Sequence, residues 1–327
     1  MKKFLSIGIT LTCAIGGWNA APATAQNIAP NYPSRAVTII VPYATGGPTD
    51  TVARLLSDHL KTSWGQAVLV DNRPGANAMV GTLAVARAAP DGHTLLFTGA
   101  SLSSYKAVLK NPEVDVEREL APISLVFFLP VVVTVSAATP INTLAEFIKY
   151  ARSRPGKLNY ASAGGGNTLT AEAFNQLAGI EAVRVNYKGE SPSALAVSRD
   201  EVQYAFVSPL AVKPLVLAGK VKALALSTAS ARSRALPEVP TSAEAGLPGL
   251  DLPAWFGLVA PANTPDEIRR KVAREAALFT ARPDTIARLG QFGFEPLTNS
   301  PEEFTRMIAS EAVKFAQIAR AAKLELE

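Results

Sequence analysis

Apolar positions along this chain alternate between two rhythms. Continuous runs come first: AVTIIVP (36–42), AVLVDN (67–72) and HTLLFTG (93–99). Each is followed by apolar residues at helical spacing, over 48–63, 78–89 and 101–110. VVVTVS (131–136) is an unbroken β-branched run, as expected of a strand buried on both faces. A second set then begins with a helix over 143–153. Strands are expected at KLNYAS (157–162), EAVRVNY (181–187), VQYAFVS (202–208) and VKALALS (221–227), with helices over 168–178, 191–199 and 209–219 between them. Strands alternating with helices predict an α/β fold.

Local signals sharpen the boundaries. Thr143-x-x-Glu146, Thr264-x-x-Glu267 and Ser300-x-x-Glu303 each match a capping box. Pro265 and Pro301 are expected at first helical positions, where a missing N–H costs nothing. Phe304, Ile308, Ala312, Phe315 and Ala319 give the last helix one apolar face. Residues 229–253 break the rhythm with Pro237, Pro240, Pro248 and Pro253, and AWFGLVAP (254–261) reads as a strand returning to the first half. Two lobes joined by two extended crossings, near 131–136 and 254–261, is the simplest architecture; a single continuous sheet is the alternative. The corresponding boundaries are 26–134 with 254–327 for lobe one and 135–253 for lobe two.

Two glycine-rich junctions carry the candidate chemistry. In VPYATGGPTDTVARLL (41–56) a strand runs through Gly46-Gly47 into a helix with Gly47 as N-cap and Pro48 at N1. Unpaired amides and the positive end of a helix dipole make such a start an anion site. Asp50, at N3, uses part of that field and reads as a structural cap. NYASAGGGNTLTAEAF (159–174) repeats the plan, with its helix opened by Asn167 or Thr168. One loop per lobe, facing across a cleft, would offer amides with the hydroxyls of Thr45, Thr49, Ser162 and Thr168. Glycines at strand-to-helix turns also serve tight packing alone; the matched pair favours a ligand site. Neither loop matches G-x-x-x-x-G-K-[ST] or G-x-G-x-x-G, which disfavours a nucleotide.

Composition removes other classes. The chain has 327 residues and one cysteine. That cysteine, Cys13, lies in a basic-then-apolar leader, Lys2 to Ile15, ending at Ala23-Thr24-Ala25, which reads as a signal peptide (1–25) cleaved before Gln26. An N-terminal membrane anchor is the alternative. Two lysines and no acid leave with it, so the mature charge is about +3 rather than +5. The mature chain has no disulfide or thiolate metal site. Basic residues are scattered, which argues against nucleic acid. The two histidines, His59 and His93, read as packed or surface residues, and no G-x-S-x-G or H-E-x-x-H occurs. No enzyme, metal or cofactor is expected.

The order and spacing of YPSRAVTIIVPYATGGPTD, GQAVLVDNRPGANAMVGTLAVARAAPDGHTLLF, PGKLNYASAGGG, VNYKGESPSALA, AGKVKALALST, LPEVPTSAEAGLPG and AWFGLVAPANTP resemble the Bug/TctC family, extracytoplasmic receptors of tripartite tricarboxylate transporters. The resemblance spans nearly all of the mature chain. It implies a type II periplasmic-binding-protein fold, with two α/β lobes and a ligand cleft. It also implies that a carboxylate is held by Tyr43, Ala44, Thr45, Gly46 and Gly47, beside Gly75, Ala76, Asn77, Ala78 and Ser101. Lobe two would supply Ser162, Gly164, Thr168, Tyr187, Val207 and Ser208.

Departures are visible. Thr45 replaces the usual proline of P-G-G, Asn77-Ala78 replaces Gly-Gly, Thr168 replaces a histidine, and VNYKG stands for VPYKG. Val207-Ser208 replaces the acid usual at the lobe-two strand end, a neutral wall suited to an apolar or aromatic tail. The expectation is a monomeric periplasmic receptor that delivers a small carboxylated solute to the permease subunits. Signalling to a sensor kinase is one alternative. A secreted α/β hydrolase is another, but it needs a Ser/His pair that the sequence does not offer.

Overall fold

A computed structural model describes residues 31–162, 165–229 and 231–322. The expected signal peptide, with Cys13, and the candidate Gly164 lie outside the described residues. In chain order the first half runs β1 (Val37–Val41), α1 (Pro48–Trp64), β2 (Val68–Asn72), α2 (Met79–Ala86), β3 (Thr94–Gly99), α3 (Ser101–Val108), α4 (Val116–Glu119) and β4 (Leu120–Leu129). The second set is β5 (Val132–Ser136), α5 (Leu144–Arg152), β6 (Leu158–Ser162), α6 (Gly165–Ala178), β7 (Ala182–Asn186), α7 (Glu190–Ser198), β8 (Tyr204–Val207), α8 (Pro209–Leu217) and β9 (Val221–Leu226). The chain then returns through β10 (Ala254–Pro261), α9 (Asp266–Ala281), α10 (Pro283–Gln291), β11 (Glu295–Pro296) and α11 (Pro301–Ala321).

These strands form two sheets, one per lobe. One has the order β11-β4-β10-β3-β1-β2, the other β7-β6-β8-β5-β9. The two share a plan. A central strand (β1 or β6) pairs in parallel with the next strand on one side and with the one after that on the other. An antiparallel strand follows, β10 in lobe one and β5 in lobe two. Each of these antiparallel strands enters its sheet just after the chain has come from the other lobe.

Helix α1 shows how sequence becomes packing. Val52, Ala53, Leu56 and Leu60 fall on one face and are fully buried in the core that includes Val37, Ile39, Val41 and Val68. Fully burying each large apolar side chain is worth about 1.5–3 kcal/mol. Gly65, in the left-handed conformation, ends the helix and donates its amide to the Lys61 carbonyl.

Some local expectations change. Capping boxes form at Thr143–Glu146 and Ser300–Glu303. At Thr264 none forms, because its hydroxyl donates to the Pro261 carbonyl, and Pro265 is the N-cap rather than N1. Helix α6 begins at Gly165, ahead of the expected 168. Strand β4, a long antiparallel partner of β10, has no counterpart in the hydrophobic reading, since Pro122 interrupts it. That proline sits at a register shift, where a missing ladder donor is tolerated. The first crossing falls between Leu129 and Val132, before the 134/135 boundary, because Pro130 has no amide to continue the ladder.

The lobes meet along helices. Leu169 and Ala173 of α6 share a buried cluster with Ala107 of α3 and with Phe315, Ile318 and Ala319 of α11. Gln176 donates its side-chain amide to the Ile318 carbonyl at 3.0 Å. The crossings are tied at Ser227, whose amide donates to the Val131 carbonyl and whose carbonyl accepts from Leu252. No helix among the described residues is long and apolar enough to cross a membrane.

Two buried points lend themselves to test. A Cβ on Gly257 of β10 would stand 2.5 Å from the Phe304 ring and 2.6 Å from the Ser124 carbonyl oxygen. Gly257→Ala is expected to destabilise by about 1–3 kcal/mol in denaturant titration. Burial pushes the Glu311 carboxyl up to about 7, despite the 2.5 Å bond it accepts from the Trp255 indole and the nearby Lys314 charge. The folded protein then holds a proton there that the unfolded chain, near 4.5, has released. This contribution to stability is full below the unfolded value and is lost as pH rises through the folded one. Between about pH 5 and pH 8 the thermal midpoint of wild type should therefore fall more than that of Glu311→Gln, measured by calorimetry.

Candidate functional site

Parallel strands in α/β sheets place ligands outside their carboxyl ends, where the strand order reverses. In lobe one that point lies between β1 and β3. The loop after β1 opens α1 with Gly47 as N-cap and Pro48 at N1. Tyr43 closes the gap to β3: its hydroxyl accepts from the Gly99 amide at 3.1 Å and lies 3.4 Å from the Ser101 hydroxyl. The Tyr43 ring stands edge-on to Phe256, which stacks on Phe127, so the loop is anchored in the lobe-one core.

Asp50 braces the loop from beneath. One carboxylate oxygen accepts from the Gly46 amide at 2.9 Å and from Arg54 at 3.0 Å. The other accepts from Asn72, whose side-chain amide also donates to the Tyr43 carbonyl. Burial pushes the Asp50 carboxyl up, but Arg54, the Gly46 amide and Asn72 together hold it below the usual carboxylate range. The acid thus serves as the expected cap and takes the Gly46 N–H. Gly46 is not one of the free donors, contrary to the reading of both glycines as open. No acceptor among the described residues takes the Gly47 amide.

A second donor group flanks the first. Gly75 has φ 131°, and Ala76, Asn77 and Ala78 follow at 44°, 51° and 70°. Three successive residues with left-handed φ make a tight turn that no strand or helix ladder uses. The turn is closed by Met79 donating to the Ala76 carbonyl, while the amides of Ala76, Asn77 and Ala78 meet no acceptor among the described residues. Each side chain held there costs roughly 1–2 kcal/mol, and strain of this kind gathers at functional sites. Ala76 and Asn77 are exposed, as are Ala44 and Thr45.

In lobe two the reversal lies between β6 and β8. Ser162, at the end of β6, and Thr168, in α6, bond each other at 2.5 Å and are buried. Tyr187 follows β7 and donates its amide to the Ser162 carbonyl. Val207 is fully buried at the end of β8, and Ser208 is the N-cap of α8. A residue outside the sequence-based set organises this end. Glu190, the first residue of α7, accepts from Asn167 at 2.7 Å and from the Ser208 amide at 3.0 Å, and also from the Ser208 hydroxyl. The Val207-Ser208 wall is therefore not neutral: α7 brings a carboxylate to the strand end that lacks one of its own. The sequence signal was an acid in the first turn of a helix, directly after Gly189.

Both loop clusters flank the junction of the lobes. Helix α3, which starts at Ser101 after β3, packs on α6 through Ala107, Leu169 and Ala173. A Cβ on Gly293 of lobe one would come 3.5 Å from Pro209, next to Ser208. The histidines lie elsewhere. His93 precedes β3 at the opposite end of the sheet and packs edge-on against Tyr32, and His59 pairs with Glu275 of α9. A cavity of about 550 Å³ is lined by Trp255, Glu311, Arg232 and Arg234, and by none of the expected site residues.

Comparison with known proteins places the family and the fold. The model of the TctC family, "Tripartite tricarboxylate transporter family receptor", matches residues 52–324. A Pseudomonas sp. (strain P51) protein, the UPF0065 protein in the tcbD-tcbE intergenic region, is 35% identical over 267 residues, 81% of this chain and 79% of that protein. Protein BugT of Bordetella pertussis is 34% identical over 253 residues, 76% of each chain. Among solved structures, a Polaromonas TctC solute-binding protein without ligand superposes at TM-score 0.80 with 25% identity, covering 89% of this chain and 99% of the other. An R. palustris protein solved with adipate does so at 0.72 with 30% identity, covering 89% and 98%. MatC of Rhodopseudomonas palustris, with bound malate, does so at 0.69 with 31% identity, covering 88% and 100%. The chain is a member of the TctC family of solute receptors, built as a two-lobed α/β periplasmic-binding-protein fold.

Proposed function

We propose that this protein is a periplasmic receptor that captures a small carboxylated solute between its lobes and delivers it to a tripartite tricarboxylate transporter permease. One observation carries this reading. Uncharged main-chain donors, the Gly47 amide and those of Ala76 to Ala78, gather at the lobe-one strand ends without a protein acceptor. A carboxylate supplies the missing acceptor, and hydrogen bonds to an ionised group are about twice as strong as neutral ones. Adipate and malate in two relatives support the class of ligand rather than a particular acid. The Ser101 hydroxyl, beside Tyr43, adds a side-chain donor. A micromolar constant needs about 8 kcal/mol, within reach of a few ionic hydrogen bonds and closure over an apolar body. Binding requires no acid–base pair, in keeping with histidines placed away from the loops.

The test begins with mature protein unfolded to strip carried-over ligand and then refolded. Mono-, di- and tricarboxylates are screened by thermal shift and calorimetry. At least one carboxylate should raise the thermal midpoint by several degrees, while its amide analogue leaves it unchanged. Gly47→Trp should abolish that response. At Gly47 φ is −73°, and a Cβ would meet only the Ala44 carbonyl oxygen, at 3.5 Å. The variant should therefore fold, with an unaltered unliganded midpoint. Normal binding by the variant would remove the first loop from the site.

A further inference from the structure

Resting on the receptor reading, we propose that Glu190 sets the ligand class. The solute carries one carboxylate for lobe one and a hydrogen-bond donor, a hydroxyl or an ammonium, at its other end, and a second carboxylate is rejected.

The two lobes treat their buried-loop acids differently. Asp50 is paired with Arg54, so the lobe-one brace carries no net charge. Glu190 has no cation within ion-pair distance among the described residues. Both of its oxygens act as acceptors, one for Asn167 and one for the Ser208 amide and hydroxyl, as suits an ionised carboxylate. It is half-buried, in surroundings that screen its charge less than bulk water does.

The neighbouring groups point the same way. Asn167 donates from Nδ2 to both Glu190 and the Phe206 carbonyl, which uses both of its N–H bonds. Its remaining polar atom, Oδ1, is an acceptor and meets no donor among the described residues. The α8 start, with Ser208 as N-cap and Pro209 lacking an N–H, gives its Ser208 amide to Glu190, which leaves the Leu210 amide without an acceptor among the described residues. The Ser162 and Thr168 hydroxyls are turned on each other. What remains is the Asn167 Oδ1 acceptor and, at Glu190, a negative charge with no cation within ion-pair distance among the described residues. A ligand donor satisfies both, whereas a second carboxylate faces like charge and finds the Ser208 amide taken.

The experiment uses refolded, ligand-free mature protein and length-matched probes in calorimetry. At four carbons these are succinate, 4-hydroxybutyrate, 4-aminobutyrate and butyrate; at six they are adipate, 6-hydroxyhexanoate, 6-aminohexanoate and hexanoate. At the length that binds best, the hydroxy or amino acid should bind at least about ten-fold tighter than the dicarboxylate. Which of the two is tighter identifies the donor. Glu190→Gln should shrink that ratio several-fold, chiefly by tightening the dicarboxylate, and Glu190→Asp should keep it. A bracket that only holds the loops together would change all affinities alike and leave the ratio standing, which would overturn the proposal. So would a dicarboxylate that binds wild type as tightly as the donor-bearing acids, a result that needs no variant and leaves the receptor reading intact. If no carboxylate of any length binds, the receptor reading itself fails, and this inference with it.

Discussion

Each lobe is completed by a strand that has just come from the other one. Strand β10 enters the first sheet between β3 and β4 after the excursion through lobe two, and β5 enters the second sheet between β8 and β9 after leaving lobe one. Removing either strand would leave a gap inside a sheet, with unpaired ladder groups on both sides. Neither lobe is therefore closed until both crossings are made, and the crossings are held together at Ser227. The same insertion leaves three parallel strands on one side of each sheet, and these carry the glycine loops at their carboxyl ends. The place of the proposed site follows from connectivity before any side chain is considered.

On that scaffold the loops need rigid support, because glycine-rich backbone does not hold itself. Lobe one uses a buried carboxylate with three partners to hold the Tyr43–Gly47 turn, and an aromatic row behind Tyr43 to hold its ring. Lobe two uses another carboxylate, Glu190, to draw the starts of α6, α7 and α8 together. In both lobes an acid takes some helix-start amides so that others keep their direction. The difference is the counter-charge, which is present at Asp50 and, among the described residues, absent at Glu190.

Much of this was legible in the residue pattern. Continuous apolar runs marked most of the strands, and the strand–glycine–helix junctions marked both loops. Asp50 was readable as a cap because its role is local, four residues from Gly46. Asn72 and Glu190 were not, because their bonds join residues 22 and 18 positions apart, brought together only by sheet pairing. Strand β4 was obscured by Pro122, whose tolerance depends on a register shift that only the partner strand creates. The Gly46 amide was misjudged for a related reason: helix-start geometry says which donors are free of the helix, not which are already taken by a neighbour.

The left-handed turn at Ala76–Ala78 has a consequence for how the empty protein waits. Glycine at these positions would ease the local torsions, yet it would also open many other backbone wells to the unoccupied loop. Residues with a β-carbon have fewer alternatives, and here the Ala76–Met79 bond and the start of α2 hold the remaining one. In the proposed site, the ordering entropy is then spent during folding instead of at each encounter with solute. A receptor that loads and unloads repeatedly gains from a mould that keeps its shape between guests.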